Sequence, residues 1–310
     1  MYHNFIVMIA GLLSEGGISL DRLQNFCRVA EAGGVTRAAK GDATKQSLYS
    51  RQVKELEEFF GAELMRRKGR GIVLTPAGQR LHNIAREQFA ALSDFKTECL
   101  GQPLEIVFGA GESIIQWLLL PGLAAIEKKL PNAQHKFLNL PNAEIIQRLN
   151  DGLIDFGIVR KGEVAKTLSS APLGRMGFSL FASRGMEAKT RGIPFNQFIG
   201  LLPLAILEGE GTFRQELNAI SRMSKSRLNI KVECSSFTLV ARALMAGTLA
   251  GILPSIAAKE LKKLGLVEIQ AKALQSFERE ICLAWSPRQL RIRVALEKAR
   301  NVFTDSFRIY

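Results

Sequence analysis

Six side chains that can donate or accept hydrogen bonds share one face of a single amphipathic stretch: Lys45, Gln46, Ser47, Ser50, Arg51 and Lys54. No apolar residue interrupts that face. Tyr49, Val53, Leu56 and Phe60 recur behind it at spacings of four, three and four, which is the buried stripe of a helix. A short helix is expected ahead of it, Thr36 to Lys40, followed by a tight turn through Gly41 and Asp42. The second helix then opens near Thr44, with Asp42 or Thr44 accepting from its first free N–H groups. Two helices joined by a tight turn, the second carrying mixed donors and cations near its N-terminus, form a helix-turn-helix that can lay one helix in the major groove of DNA.

The next stretch supplies phosphate chemistry. Arg66, Arg67, Lys68 and Arg70 cluster around Gly69 and Gly71 ahead of an apolar strand, Ile72 to Leu74, as in a β-hairpin wing. Cations on such a tip suit backbone phosphates, and Thr36 and Arg37 are assigned to the same task. Catalytic or metal chemistry has no comparable support. His3, His82 and His135 are isolated, and Cys27, Cys99, Cys234 and Cys282 show no ligand spacing. The cysteines read as small buried hydrophobes of a reduced, cytoplasmic protein, and no cofactor is expected.

These groups need positioning elements. Leu20 to Gly33 reads as a core helix, with Leu20, Leu23, Cys27 and Ala30 on its stripe and two glycines ending it. Thr75-Pro76 starts another by mechanism, with threonine as cap and proline where a missing N–H costs nothing. That helix runs unbroken to about Leu100, roughly 37 Å at 1.5 Å per residue. Leu81, Ala85, Leu92, Phe95 and Cys99 lie near a heptad seam that Gln88 interrupts, so the helix requires a partner. After the hinge Gly101-Gln102-Pro103, strands alternate with helices, as parallel sheets with helical crossovers demand. One unit runs through Leu104 to Phe108, Lys136 to Leu140 and Phe156 to Val159. A second begins with a strand over Leu173 to Ala182, and Glu280 to Trp285 with the last helix returns to the first.

Ligands of open α/β sheets bind beyond the C-terminal strand ends, where helix N-termini favour negative charge. Gly111, Glu112 and Ser113 follow the first strand and open a helix; Glu208 and Thr212, and then Ser235, Ser236 and Phe237, repeat the arrangement in the second unit. Arg160 closes a strand at the hinge as a charge partner. A small anion is the expected ligand. The plainer assignment makes Ser113, Thr212 and Ser236 simple helix caps worth about 1 kcal/mol each. Phe181, Phe213 and Phe237 could either line the cleft or plug it.

The order FCRVAEAGGVTRAAK, QSLYSRQVKELEEFFGAEL and RRKGRGIVLTPAGQRL resembles the N-terminal domain of LysR-type transcriptional regulators. Its specific positions are Ala38-Ala39, Gln46, Ser50-Arg51-Gln52, Leu56-Glu57, Gly61, and Leu74-Thr75 with Gly78. Asp42, Thr44 and Lys45 depart from the family's usual leucine, valine and serine. Leu119-Leu120-Pro121, DGLIDFGIV around Asp155, and Gly251-Ile252-Leu253-Pro254 extend the resemblance over nearly the whole chain. It implies an α/β protein with an N-terminal winged helix-turn-helix, a long linker helix and a two-lobed Rossmann-like effector domain similar to periplasmic binding proteins. It also implies double-stranded DNA, a small-molecule effector touching Ser113, RNA polymerase, and a second copy in a homodimer or homotetramer as partners. The implied domains are an extension over 1–19, the winged domain over 20–75, linker and hinge over 76–101, lobe I over 102–160 and 267–310, and lobe II over 161–266.

Charge and length bound the rest. The chain of 310 residues is 47% apolar, enough for more than one core, and its net charge of +13 lies mostly beyond the first hundred residues, so charge alone does not locate the DNA site. Phe5 to Leu13 is too short to span a bilayer and lacks a cationic leader, so no membrane association is expected. Residues 1–19 read either as the product of an upstream start codon chosen in error or as an extra packing helix. Two other functions remain compatible: an effector-independent architectural DNA binder, and a solute-binding protein or enzyme on the same α/β body. Neither a nucleophile–base pair nor a metal cluster supports the latter.

Overall fold

The computed structural model describes residues 18–69, 71–223, 227–269 and 271–309. The expectations for residues 1–17 and for Arg70 lie outside them. The chain divides into two compact units at Lys96/Thr97.

In the first unit, α1 (Leu20–Ala32) starts at Ser19, whose hydroxyl accepts from the Arg22 N–H at 3.2 Å, and ends at Gly33 with φ 65°. The short α2 (Val35–Ala38) leads through Lys40 and Gly41, both at positive φ, into α3 (Ala43–Phe60). Asp42 caps α3 by accepting from Lys45 N–H at 3.1 Å, and that bond holds its carboxyl below the ordinary range. Phe26, Val29, Tyr49, Val53, Leu56 and Leu64 form the core. Phe60 does not join them: it is 39% exposed and packs edge-on against Phe59 in the last turn, so the buried stripe stops at Leu56.

The hairpin β1 (Met65–Lys68) and β2 (Gly71–Leu74) follows, antiparallel. The Glu57 carboxylate fixes its approach by accepting from the N–H groups of Leu64 (2.8 Å) and Met65 (3.1 Å). The Thr75 hydroxyl donates to Glu63 O at 2.6 Å and accepts from Gly78 N at 3.0 Å. A Cβ on Gly78 would stand 1.9 Å from Leu64 O, so only glycine lets the start of α4 (Pro76–Cys99) lie against this strand. Ala77, Leu81, Ala85 and Phe89 on α4 pack on the core. Farther along, Leu92 and Phe95 are 52% and 64% exposed, leaving the second half of the expected seam uncovered in the protomer.

The second unit holds two five-stranded sheets. The first contains β3 (Leu104–Ala110), β4 (Ala133–Asn139), β5 (Phe156–Arg160) and β6 (Ser169–Met176), with β12 (Arg279–Trp285) returning from the chain's end, in the order β4-β3-β5-β12-β6. The second contains β7 (Phe178–Ser183), β8 (Pro203–Leu207), β9 (Asn229–Cys234), β10 (Ala250–Pro254) and β11 (Leu266–Ile269), in the order β11-β7-β10-β8-β9. The expected parallel pairs occur at β3–β4, β3–β5, β8–β9 and β8–β10, whereas β12 and β7 run antiparallel to their neighbours.

Two expectations need correction here. Leu173 to Ala182 is not one strand: β6 pairs with β12 in the first sheet, and the chain changes sheets at Gly177. The second lobe therefore begins near 178 and not at 161. It also ends later than 266, because β11 pairs with β7, and Leu274 and Phe277 are buried in the second lobe's core. Uniform apolar alternation through both segments conceals the change of sheet.

In the first lobe a continuous helical run covers 112–129: α5 (Glu112–Ile114), a π-helical segment over Ile115–Leu119, and α6 (Leu120–Lys129). Then come α7 (Asn142–Asn150) and, in the second lobe, α8 (Arg184–Ala188), α9 (Phe195–Phe198), α10 (Thr212–Met223), α11 (Phe237–Leu244) and α12 (Ala258–Lys263). The chain closes with α13 (Pro287–Ile292) and α14 (Ala295–Ser306). Phe108, Phe156, Phe303 and Phe307 centre the first lobe's core. Asp155 precedes β5 as a buried carboxylate; it accepts from Val107 N at 2.8 Å and pairs with the buried Arg293. No helix among the described residues is long and apolar enough to cross a membrane.

A candidate nucleic-acid interface and an interlobe cleft

Gln46, Ser47, Ser50, Arg51 and Lys54 line a shallow concavity on α3, closed at one side by Val35 of α2. The helix presents these groups to solvent because Tyr49, Val53 and Leu56 occupy the opposite face. Gln52 points inward instead, accepting from Asn25 Nδ2 at 2.7 Å and tying α3 to α1.

The cations differ in how firmly they are held. Lys45 lies 3.4 Å from Asp42, and Lys54 lies 3.7 Å from Glu58; such exposed pairs are worth little and exchange readily for a phosphate. Arg51 stands 3.6 Å from Glu55, but Glu55 is already engaged by Arg22 at 2.8 Å, which leaves the Arg51 side chain 70% exposed and weakly tethered.

Arg37 is exposed and also holds a bond within the winged unit. Its guanidinium donates to Gly33 O and lies against both Gly33 and Gly71, so it braces the start of β2 on the end of α1. Gly33 O also accepts from Ile72 N at 3.1 Å. Thr36 is exposed beside it, and Arg66, Arg67 and Lys68 project from β1 into solvent.

In the second unit, a cavity of about 170 Å³ opens between the lobes. Gly111, Ser113, Arg160, Thr212 and Phe237 reach it from separate segments of both lobes. Glu112, Glu208, Ser235 and Ser236 do not line it. The Glu112 carboxylate accepts from the Thr238 hydroxyl of the other lobe, and Ser236 caps α11 by accepting from Leu239 N at 3.3 Å. Arg160 is bonded to Glu163 at 3.0 Å, which also accepts from Asn142 on the cleft wall at 2.7 Å.

The expectation for Phe181 resolves to core packing, since it is fully buried away from the cavity. Phe213 and Phe237 line it, joined by Phe178 and Phe277, which local pattern did not single out. Arg279 and its partner Glu216 add a charged pair to the wall. Only the tertiary crossovers at 177 and 278 bring those four residues together.

The cysteines offer little chemistry. Burial pushes the Cys27 thiol up to about 11 and raises Cys282 as well, so neither is a ready thiolate at neutral pH; Cys99 is exposed on α4.

A winged helix-turn-helix carried on the same chain as a two-lobed α/β ligand-binding body defines a ligand-responsive DNA-binding regulator. The bacterial regulatory helix-turn-helix of the lysR family matches residues 20–79, and the LysR substrate binding domain matches residues 102–305. The chain belongs to the LysR family of transcriptional regulators. Among curated relatives, a probable nitrogen assimilation transcriptional activator of Synechococcus elongatus is 35% identical over 144 residues, 45% of this chain and 46% of that protein, so the match spans about half its length. A full-length OxyR variant from Pseudomonas aeruginosa shares the fold with a TM-score of 0.65 at 18% identity, covering 94% of this chain and 95% of that one. Full-length LysG from Corynebacterium glutamicum, with bound effector Arg, does so with a TM-score of 0.63 at 15% identity, over 93% and 98%.

Proposed function

We propose that the winged unit reads a specific operator through Gln46, Ser47, Ser50 and Arg51, with Lys45, Lys54, Thr36, Arg66, Arg67 and Lys68 on phosphates. The observation carrying this is the α3 face, where hydrogen-bonding groups line an open concavity beside a loosely held arginine. The second part of the proposal is that a small anion occupies the interlobe cavity and favours one lobe arrangement. It does so only by its differential affinity for the two arrangements. The uncovered seam of α4 supports pairing with a second copy, and through it a cytoplasmic homodimer or homotetramer that bends DNA and recruits RNA polymerase. Of the alternatives, an architectural binder would need no ligand space, and the room left between the four phenylalanines argues for an effector.

The test is binding of the full chain to the DNA immediately upstream of its own gene, in competition with random duplex at physiological salt. A preference of about a thousandfold or more is expected. Equal affinity for that DNA, for sites recovered by genome-wide selection and for random duplex would overturn the specific reading.

A further inference from the structure

The interlobe cavity is built for one kind of anion. Two helical runs, one from each lobe, begin on it: α5 after Gly111 and α10 after Gly211. A Cβ at either glycine would meet nothing within 4 Å, so the space in front of both starts is open. The first residues of a helix have N–H groups without intrahelical partners and favour negative charge. Ser113 and Thr212 stand at these two starts, and their hydroxyls hold no hydrogen bond to another described residue. Aromatic side chains line the same cavity. Phe178 lies 5.6 Å from both Phe213 and Phe237, and Phe213 lies 5.3 Å from Phe277, centroid to centroid, giving a continuous apolar surface.

Size and charge narrow the class. A cavity of about 170 Å³ is close to the roughly 150 Å³ that admits benzene, so it takes one ring and a small polar group. Arg160 and Arg279 lie on the wall but are already paired, with Glu163 at 3.0 Å and with Glu216, so the wall carries no surplus positive charge and the two helix starts alone remain to hold an anion, which limits it to a single charge. Glu216 Oε2 is buried with no hydrogen-bond partner among the described residues and would repel a second carboxylate.

We infer that the ligand of this cleft is a monocarboxylate bearing one ring-sized apolar body, its carboxylate at Ser113 and Thr212 and its ring on the phenylalanine wall. This rests on the reading of the cleft as the effector site. Benzoate, phenylacetate and cyclohexanecarboxylate, with acetate and succinate as counter-probes, are to be titrated calorimetrically into the full chain at constant ionic strength. At least one ring acid should bind tenfold or more tightly than acetate and succinate. Ser113→Ala and Phe237→Ala should each weaken it about tenfold or more, and Glu216→Gln should improve succinate. Circular dichroism and melting of each variant separate loss of binding from loss of fold. Tighter binding of succinate or acetate that depends on Ser113 would overturn the ring requirement and leave the cleft reading intact. Ring-acid binding indifferent to both substitutions would overturn the site itself, and no binding of any ring acid at about 20 mM would overturn the class.

Discussion

The two recognition surfaces are built in opposite ways. The α3 face takes its groups from ten consecutive positions of one helix, Lys45 to Lys54, and a rigid element fixes their spacing before any tertiary contact forms. The cleft takes its groups from strand ends, helix starts and both crossovers, from Gly111 to Ile281, and exists only when two sheets are assembled. The first can be altered one side chain at a time with the fold intact. The second depends on buried supports that touch no ligand.

That contrast is broken most severely at Asp155. Asp155→Ala leaves Arg293 buried without its carboxylate and removes the acceptor for Val107 N, at an expected cost of about 3–5 kcal/mol to the α/β unit. Denaturant unfolding followed at Trp117 and Trp285, which both lie in that unit, should show the loss. DNA binding by the winged unit should persist under conditions where the α/β unit still folds. A variant as stable as wild type would mean the pair contributes nothing.

Gly78→Ala is the converse experiment. Its Cβ would overlap Leu64 O, so α4 must shift from the hairpin, and about 3 kcal/mol should be lost from the winged unit alone. Hydrogen exchange should report faster opening of α1 and α3 while the α/β unit is unchanged. Equal loosening of both units would contradict their treatment as separate folding units.

On the surface itself the effects are smaller and of two kinds. Arg51→Ala should weaken operator binding by about 1–3 kcal/mol and relax sequence preference, because its side chain is 70% exposed and only weakly tethered to Glu55. Lys68→Ala should weaken all duplexes alike and lower the salt slope by about one. If the two variants lose specific and non-specific affinity in the same ratio, the division between base reading and phosphate contact is wrong.

How legible each region was follows from the same contrast. The helical period alone placed Lys45, Gln46, Ser47, Ser50, Arg51 and Lys54 on one exposed face, since period is a local property. The bond from Arg37 to the Gly33 carbonyl was not legible, because it belongs to backbone geometry that composition does not display. In the α/β unit the strands were legible by their apolar runs. The sheet to which each belongs was not, because a strand's pattern records burial and not its neighbours. Hence the misplaced lobe boundaries, and hence Phe178 and Phe277, whose place on the cleft follows from the crossovers. Ser113 and Thr212 reach the cleft from helix starts that follow strand ends, a local pattern that the sequence displays.

The smallest expected effect lies in the turn between α2 and α3. Lys40 has φ 51°, a left-handed conformation that costs an L-residue with a side chain about 1–2 kcal/mol. Lys40→Gly relieves that strain, but glycine gives the unfolded chain more freedom, so the net gain should be about 0.5 kcal/mol. Lys40→Ala keeps the strain while removing the same exposed charge. The two variants should therefore share any loss in salt-dependent DNA affinity and differ in the stability of the winged unit, with glycine the more stable. Equal unfolding midpoints would show that the turn relaxes without cost, and that the α3 face is held by Asp42 and the core stripe rather than by the geometry of the turn.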